Sequence, residues 1–85
     1  MAIWEVEFSK DAYKAYQKIA NAYQAKIDIV IERLADNKMV DIKPVKGEKD
    51  IYRLRIGKYR ILIKFFHNIK SILVIKIGSR GGIYK

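Results

Sequence analysis

The chain predicts an α+β domain: an opening strand, a helical layer and a closing three-strand antiparallel meander, all in one domain over residues 1–85. Three observations carry this expectation. Apolar and polar residues alternate over residues 2–8 and again from Ile51 onward, which is the period of a half-buried strand. Between those stretches the apolar residues recur at helical spacing. The charge divides along the same line. Residues 43–85 hold twelve of the eighteen Lys and Arg residues and two of the nine acids, a net +10, whereas residues 1–42 carry −1. The helices are expected on one sheet face and a basic concave face on the other.

In the opening strand Trp4, Val6 and Phe8 point one way and Glu5 and Glu7 the other. Ser9 is placed to cap a helix, and Asp11 falls in its first turn, where a negative charge meets the positive end of the helix dipole. Ala12, Tyr13, Tyr16, Ile19, Ala20 and Tyr23 then repeat at helical spacing, and Ile27, Val30, Ile31 and Leu34 continue it. The pattern admits one helix over residues 10–36 or a pair broken at Asn21, which would cap the second. Residues 37–49 contain the single Pro and a Gly and read as a loop.

Three strands follow. Tyr52, Leu54 and Ile56 oppose Arg53 and Arg55, and Gly57-Lys58 is a two-residue hairpin signal. In the next strand Tyr59, Ile61, Ile63 and Phe65 oppose Arg60, Leu62, Lys64 and Phe66. Residues 67–70 form a turn. In the last strand Leu73, Ile75 and Ile77 are expected toward the helices, with Ile72, Val74 and Lys76 opposite.

Composition excludes several classes of function. Without Cys there is no disulfide framework or thiolate metal site, and a single His leaves no His-based zinc site or Ser-His-Asp triad. No metal and no cofactor is expected. No apolar run reaches the ~18 residues of a membrane span. The start, Met-Ala-Ile-Trp-Glu-Val-Glu, has acids where a signal peptide needs basic residues, so a cytoplasmic protein with no membrane partner is expected.

Strand alternation gathers Arg53, Arg55, Arg60, Lys64 and Lys76 on the face away from the helices, with no acid in the chain after Asp50. Neighbouring strands lie about 4.8 Å apart, so these cations repel one another unless an anion intervenes. A phosphate backbone fits, and forked guanidinium groups suit its oxygens. The ending, Gly78-Ser79-Arg80-Gly81-Gly82-Ile83-Tyr84-Lys85, adds a further Arg and a Tyr able to stack on an unpaired base.

These residues also carry a resemblance. Val45-Lys46-Gly47 followed by Ile51-Tyr52-Arg53-Leu54-Arg55-Ile56-Gly57-Lys58-Tyr59-Arg60-Ile61-Leu62 resembles the central hairpin of the RelE/ParE superfamily of toxins, on its RelE-like branch. The opening Val6-Glu7-Phe8-Ser9-Lys10-Asp11-Ala12 and the closing Ile77-Gly78-Ser79-Arg80 with Ile83-Tyr84 resemble its first and last segments, so the likeness spans nearly the whole chain. The resemblance implies a helical hairpin, which favours the break near Asn21. It implies the toxin of a toxin–antitoxin system, a ribosome-dependent endoribonuclease that cuts mRNA and inhibits translation, held inactive by a cognate antitoxin. Matched residue by residue, it implies an active surface of Arg53, Arg55, Arg60, Arg80 and Tyr84; Lys46, Lys58, Lys64 and Lys76 are expected, as further cations of the basic half, to bind RNA. The family's best-studied arrangement has lysines where this chain has Arg53 and Arg55, and arginine is a poor general base. Trp4, Tyr13, Tyr16 and Tyr23 are candidates for antitoxin contact, with Tyr16 and Tyr23 read first as core. Two other functions fit the same residues: a ParE-like toxin that inhibits gyrase without nuclease activity, and a non-catalytic RNA-binding module.

Overall fold

A computed structural model describes residues 3–79. The elements follow as β1 (Glu5–Phe8), α1 (Lys10–Gln17), α2 (Asn21–Ala35), β2 (Ile42–Pro44), β3 (Ile51–Ile56), β4 (Tyr59–Phe66) and β5 (Ser71–Ser79). The five strands form one sheet in the order β1-β5-β4-β3-β2. The last three strands form the antiparallel meander that their alternation predicts. β1 lies outside β5 and parallel to it.

The helical layer is a hairpin. Ser9 starts α1: its hydroxyl accepts from the Ala12 amide at 3.0 Å and donates to the Ile75 carbonyl at 2.7 Å, tying the helix start to β5. Helix α2 begins at Asn21, but Asn21 does not cap it; Ala20 holds the cap position without a side-chain bond. The two helices are joined by side chains instead. Gln24 donates to the Tyr16 carbonyl at 2.8 Å, and the Tyr16 hydroxyl donates to Asp28 at 2.6 Å. Asp28 raises the Tyr16 phenol from 10.0 to about 12, chiefly through this hydrogen bond and then through burial, because an ionised phenol would lose the bond and face a carboxylate.

The core lies between helices and sheet. Ile27, Leu54, Ile61, Ile63, Ile72 and Val74 are its largest fully enclosed side chains. Trp4 is buried at the end of this layer, edge-on to Phe65, and so is not an exposed contact residue. Tyr16 and Tyr23 pack partly buried against the core, as first read, while Tyr13 is exposed.

Two further expectations are corrected. Residues 42–44 belong to the sheet: Ile42 pairs with Leu54, Lys43 with Arg53 and Pro44 with Tyr52. Pro44 disguised this strand, yet proline is tolerated on a sheet edge, where its missing N–H breaks no central ladder. The phase of β5 also differs. Ile72 and Val74 are buried toward the helices together with Ile77, whereas Leu73 and Ile75 are not. Ile63 pairs with Val74 and Leu62 with Lys76, so Ile75 is an extra residue in a β-bulge. Two residues of β5 there span one step of β4, and strict alternation fails.

Candidate nucleic-acid interface

The sheet face away from the helices is built by cross-strand pairing. Lys43 pairs with Arg53, Arg53 with Leu62 and Leu62 with Lys76, which forms one rung across four strands. In the next rung Arg55 pairs with Arg60, and Arg60 with Gly78. Directly opposite like charges oppose folding, so the Arg55–Arg60 pair makes sense as a receptor for something anionic. A groove of about 420 Å³ opens here, lined by Asp41, Lys43, Arg53, Leu54, Arg55 and Arg60. Arg53 and Arg55 are exposed and Arg60 is half-buried.

The predicted site residues separate into groups. Arg53, Arg55 and Arg60 come together in the groove. Lys76 is exposed in the Arg53 rung but does not line it. Lys64 pairs with Ile51 and Leu73, with its ammonium 5.2 Å from the Phe66 ring centroid. It lies four residues along β4 from Arg60, about 13 Å away. Lys58 sits in the β3–β4 turn, over the rings of Tyr23 and Tyr59 at 5.8 and 5.5 Å. Lys46 is exposed in the connection between β2 and β3. Arg80 and Tyr84 lie outside the described residues.

His67 is no part of this groove. It follows the far end of β4, about 20 Å along the strand from Arg60. There its Nε2 stands 3.4 Å from Asp50 and its ring stacks on Phe65. Among the described residues no group of His, Cys, Asp and Glu could hold a metal ion, and no helix is long and apolar enough to cross a membrane.

Sequence reasoning missed two residues of the groove, Lys43 and Asp41. Their signal was present: Val40 and Ile42 alternate with Asp41 and Lys43. Pro44 and a run of only three strand residues hid it. Asp41 also lines a second, more apolar recess of about 260 Å³ with Val30, Arg33, Met39, Val40 and Ile56, and the two recesses share Asp41, Leu54 and Arg55.

Residues 2–84 match the family described as the ParE toxin of type II toxin–antitoxin system, parDE. A protein named RelE1 from Methanocaldococcus jannaschii is 33% identical over 86 residues, covering 96% of each chain. Among solved structures, the RelB-RelE antitoxin–toxin complex from Methanococcus jannaschii contains a chain 28% identical, with a TM-score of 0.75 and coverage of 91% of this chain and 93% of that one. The archaeal RelE-RelB complex from Pyrococcus horikoshii OT3 gives 26% identity and a TM-score of 0.73, covering 93% and 97%.

Proposed function

The chain belongs to the ParE toxin family of type II toxin–antitoxin systems, and we propose that it is a toxin of the nuclease kind, a metal-independent endoribonuclease that cuts mRNA on the ribosome. The observation that carries this reading is the cationic groove: Lys43, Arg53, Arg55 and Arg60 converge on one recess of the uncovered sheet face. That arrangement suits a bent phosphodiester, because several guanidinium groups can share its oxygens and stabilise charge that grows at phosphorus.

The reaction is a transesterification within the message. The ribose 2′-oxygen forms a bond to the adjacent phosphorus, and the bond from phosphorus to the 5′-oxygen breaks. The products are a 2′,3′-cyclic phosphate and a 5′-hydroxyl. Arg60 and Arg80 stabilise the phosphorane-like transition state. Arg53 and Arg55 hold the flanking phosphates and keep the 2′-oxygen in line. Tyr84 stacks on the nucleotide beside the cut. Lys46, Lys58, Lys64 and Lys76 guide the backbone of the message toward the groove, and the ribosome presents the codon. The reaction takes place in the cytoplasm, where translation does.

The RelB-RelE complexes of related chains support a cognate antitoxin as the protein partner. Its binding segment is acidic, to match a net charge of +9, and covers the groove so that RNA and antitoxin exclude each other. A second reading rests on the family description itself, which is that of ParE, and makes the chain a gyrase inhibitor without nuclease chemistry.

Primer extension on messages from cells briefly expressing the toxin separates these readings. Discrete cuts inside translated codons, lost in Arg60→Ala, are expected. Intact messages with trapped gyrase–DNA breaks would favour the second reading. Intact messages without such breaks would leave a non-catalytic RNA-binding module.

A further inference from the structure

Attack by a 2′-hydroxyl requires that its proton go somewhere. The arginines of the groove cannot receive it, because guanidinium stays protonated and offers only donors. Lys43 is likewise a donor, and Leu54 is apolar. Of the described side chains lining the groove, one carries a carboxyl group, whose oxygens can accept a proton: Asp41.

Its placement follows from the β2 ladder. Ile42 pairs with Leu54 and Lys43 with Arg53, and the strand begins at Ile42. Alternation puts Asp41 on the same side as Lys43, toward the groove and level with Arg55. Because the ladder has not begun at Asp41, its backbone is not fixed by pairing, and the exposed carboxylate borders both the cationic groove and the apolar recess. It is therefore an accessible acceptor in the same groove as Arg60, which is assigned to the scissile phosphate.

We propose that Asp41 is the general base of this toxin, accepting the 2′-hydroxyl proton as the 2′-oxygen bonds to phosphorus. The proposal rests on the nuclease reading above. In the balanced step the 2′-O–H proton passes to the Asp41 carboxylate, the P–O5′ bond breaks, and the departing 5′-oxygen takes a proton from water. Asp41 then returns its proton to solvent, and no oxidant, metal or further reactant is consumed. A purely electrostatic role for Asp41, offsetting repulsion among Lys43, Arg53, Arg55, Arg60 and the nearby Arg33, differs in the cutting rate on its removal. RNA would bind more tightly and be cut no more slowly.

The test uses the full chain freed from its antitoxin and a ribosome-bound message with a defined codon in the A site. Single-turnover cleavage rates are measured for wild type, D41N and D41E between pH 6 and 9, with binding to the same complex measured alongside. Lysine, arginine and aspartate side chains as classes keep their charge over most of that range. D41N is expected to cut about a hundredfold more slowly or worse, the low end of general-base contributions, while binding as tightly as wild type or tighter. With the base gone, hydroxide must take the proton, so the D41N rate rises about tenfold per pH unit while the wild-type rate stays nearly flat. D41E, a longer carboxylate, recovers part of the rate. A D41N rate within threefold of wild type, a D41N profile parallel to wild type, or a tenfold loss of binding overturns the assignment. If wild type itself leaves the message intact, the nuclease reading falls and this inference with it. If wild type cuts and D41N cuts equally well, this inference alone falls.

Discussion

Replacing Gly57 by Ala tests how the β3–β4 hairpin is held. Gly57 has φ +58, and Lys58 after it is not among the positive-φ residues, which is the pattern of a type II′ turn with Gly first. An alanine pays about 1–2 kcal/mol for that conformation, partly offset by a less flexible unfolded chain. A second cost is steric. A Cβ at this position would lie 2.6 Å from Cε1 of Tyr23. The Tyr23 ring stands edge-on to Tyr59 at 5.1 Å with the Lys26 ammonium 5.3 Å away, so moving it aside forfeits an aromatic contact worth roughly 1 kcal/mol. Gly47 is the internal control: its φ is +83, but a Cβ there would meet nothing within 4 Å. G47A should therefore cost about 1 kcal/mol and G57A about 2, a difference of about 4–8 °C in Tm for a domain of this size. Urea unfolding and thermal melts of both variants measure this. In a Tyr23→Ala background the excess cost of G57A should vanish. If G57A is no worse than G47A, or its excess survives removal of Tyr23, the hairpin is not braced by this ring.

Three other outcomes can be checked with the same instruments. Ser9→Ala removes both the cap to Ala12 and the bond to Ile75 and should cost about 1–2 kcal/mol in urea unfolding. Tyr16→Phe removes the bond to Asp28 and should cost about 1 kcal/mol at neutral pH, modest because the contact faces solvent. Tyr16 is raised to about 12 from 10.0, so its contribution is complete below pH 10 and fades as pH rises toward 12; melts of wild type and Y16F should converge there. Arg55→Glu replaces the like-charged pair with Arg60 by an opposite-charged one and should raise Tm by a few degrees, from about 0.5 kcal/mol, while lowering RNA affinity in a fluorescence titration.

The legible parts of the fold are those in which local chemistry and tertiary packing agree. Ser9 caps α1 because serine after a strand does so in many contexts. β3 and β4 hold the expected phase because each alternates without interruption, and Gly57 fixes their register. Arg53, Arg55 and Arg60 could therefore be placed together from spacing alone. Two features depended on information that a single strand does not carry. The bulge at Ile75 reflects a choice between two apolar sets in a strand where Ile72, Leu73, Val74 and Ile75 are all hydrophobic, and packing against α1 decided it. β2 exists only because β3 offers an edge, so three residues ending in proline looked like a loop. The omission had a cost for function, since the acid of the groove comes from that segment. The parallel seat of β1 beside β5 joins the first and last strands of the chain, a pairing that alternation within either strand does not encode.

Strand β5 absorbs an odd residue as a local crease. Val74 and Ile77 both reach the core although three positions separate them, and Lys76 still emerges beside Leu62. Relatives that lack one residue here can keep both ends of the strand where they are, losing only the crease. Gaps in an alignment at this point are then silent for the groove, and matching by strict two-residue periodicity from Val74 would turn Lys76 into the core.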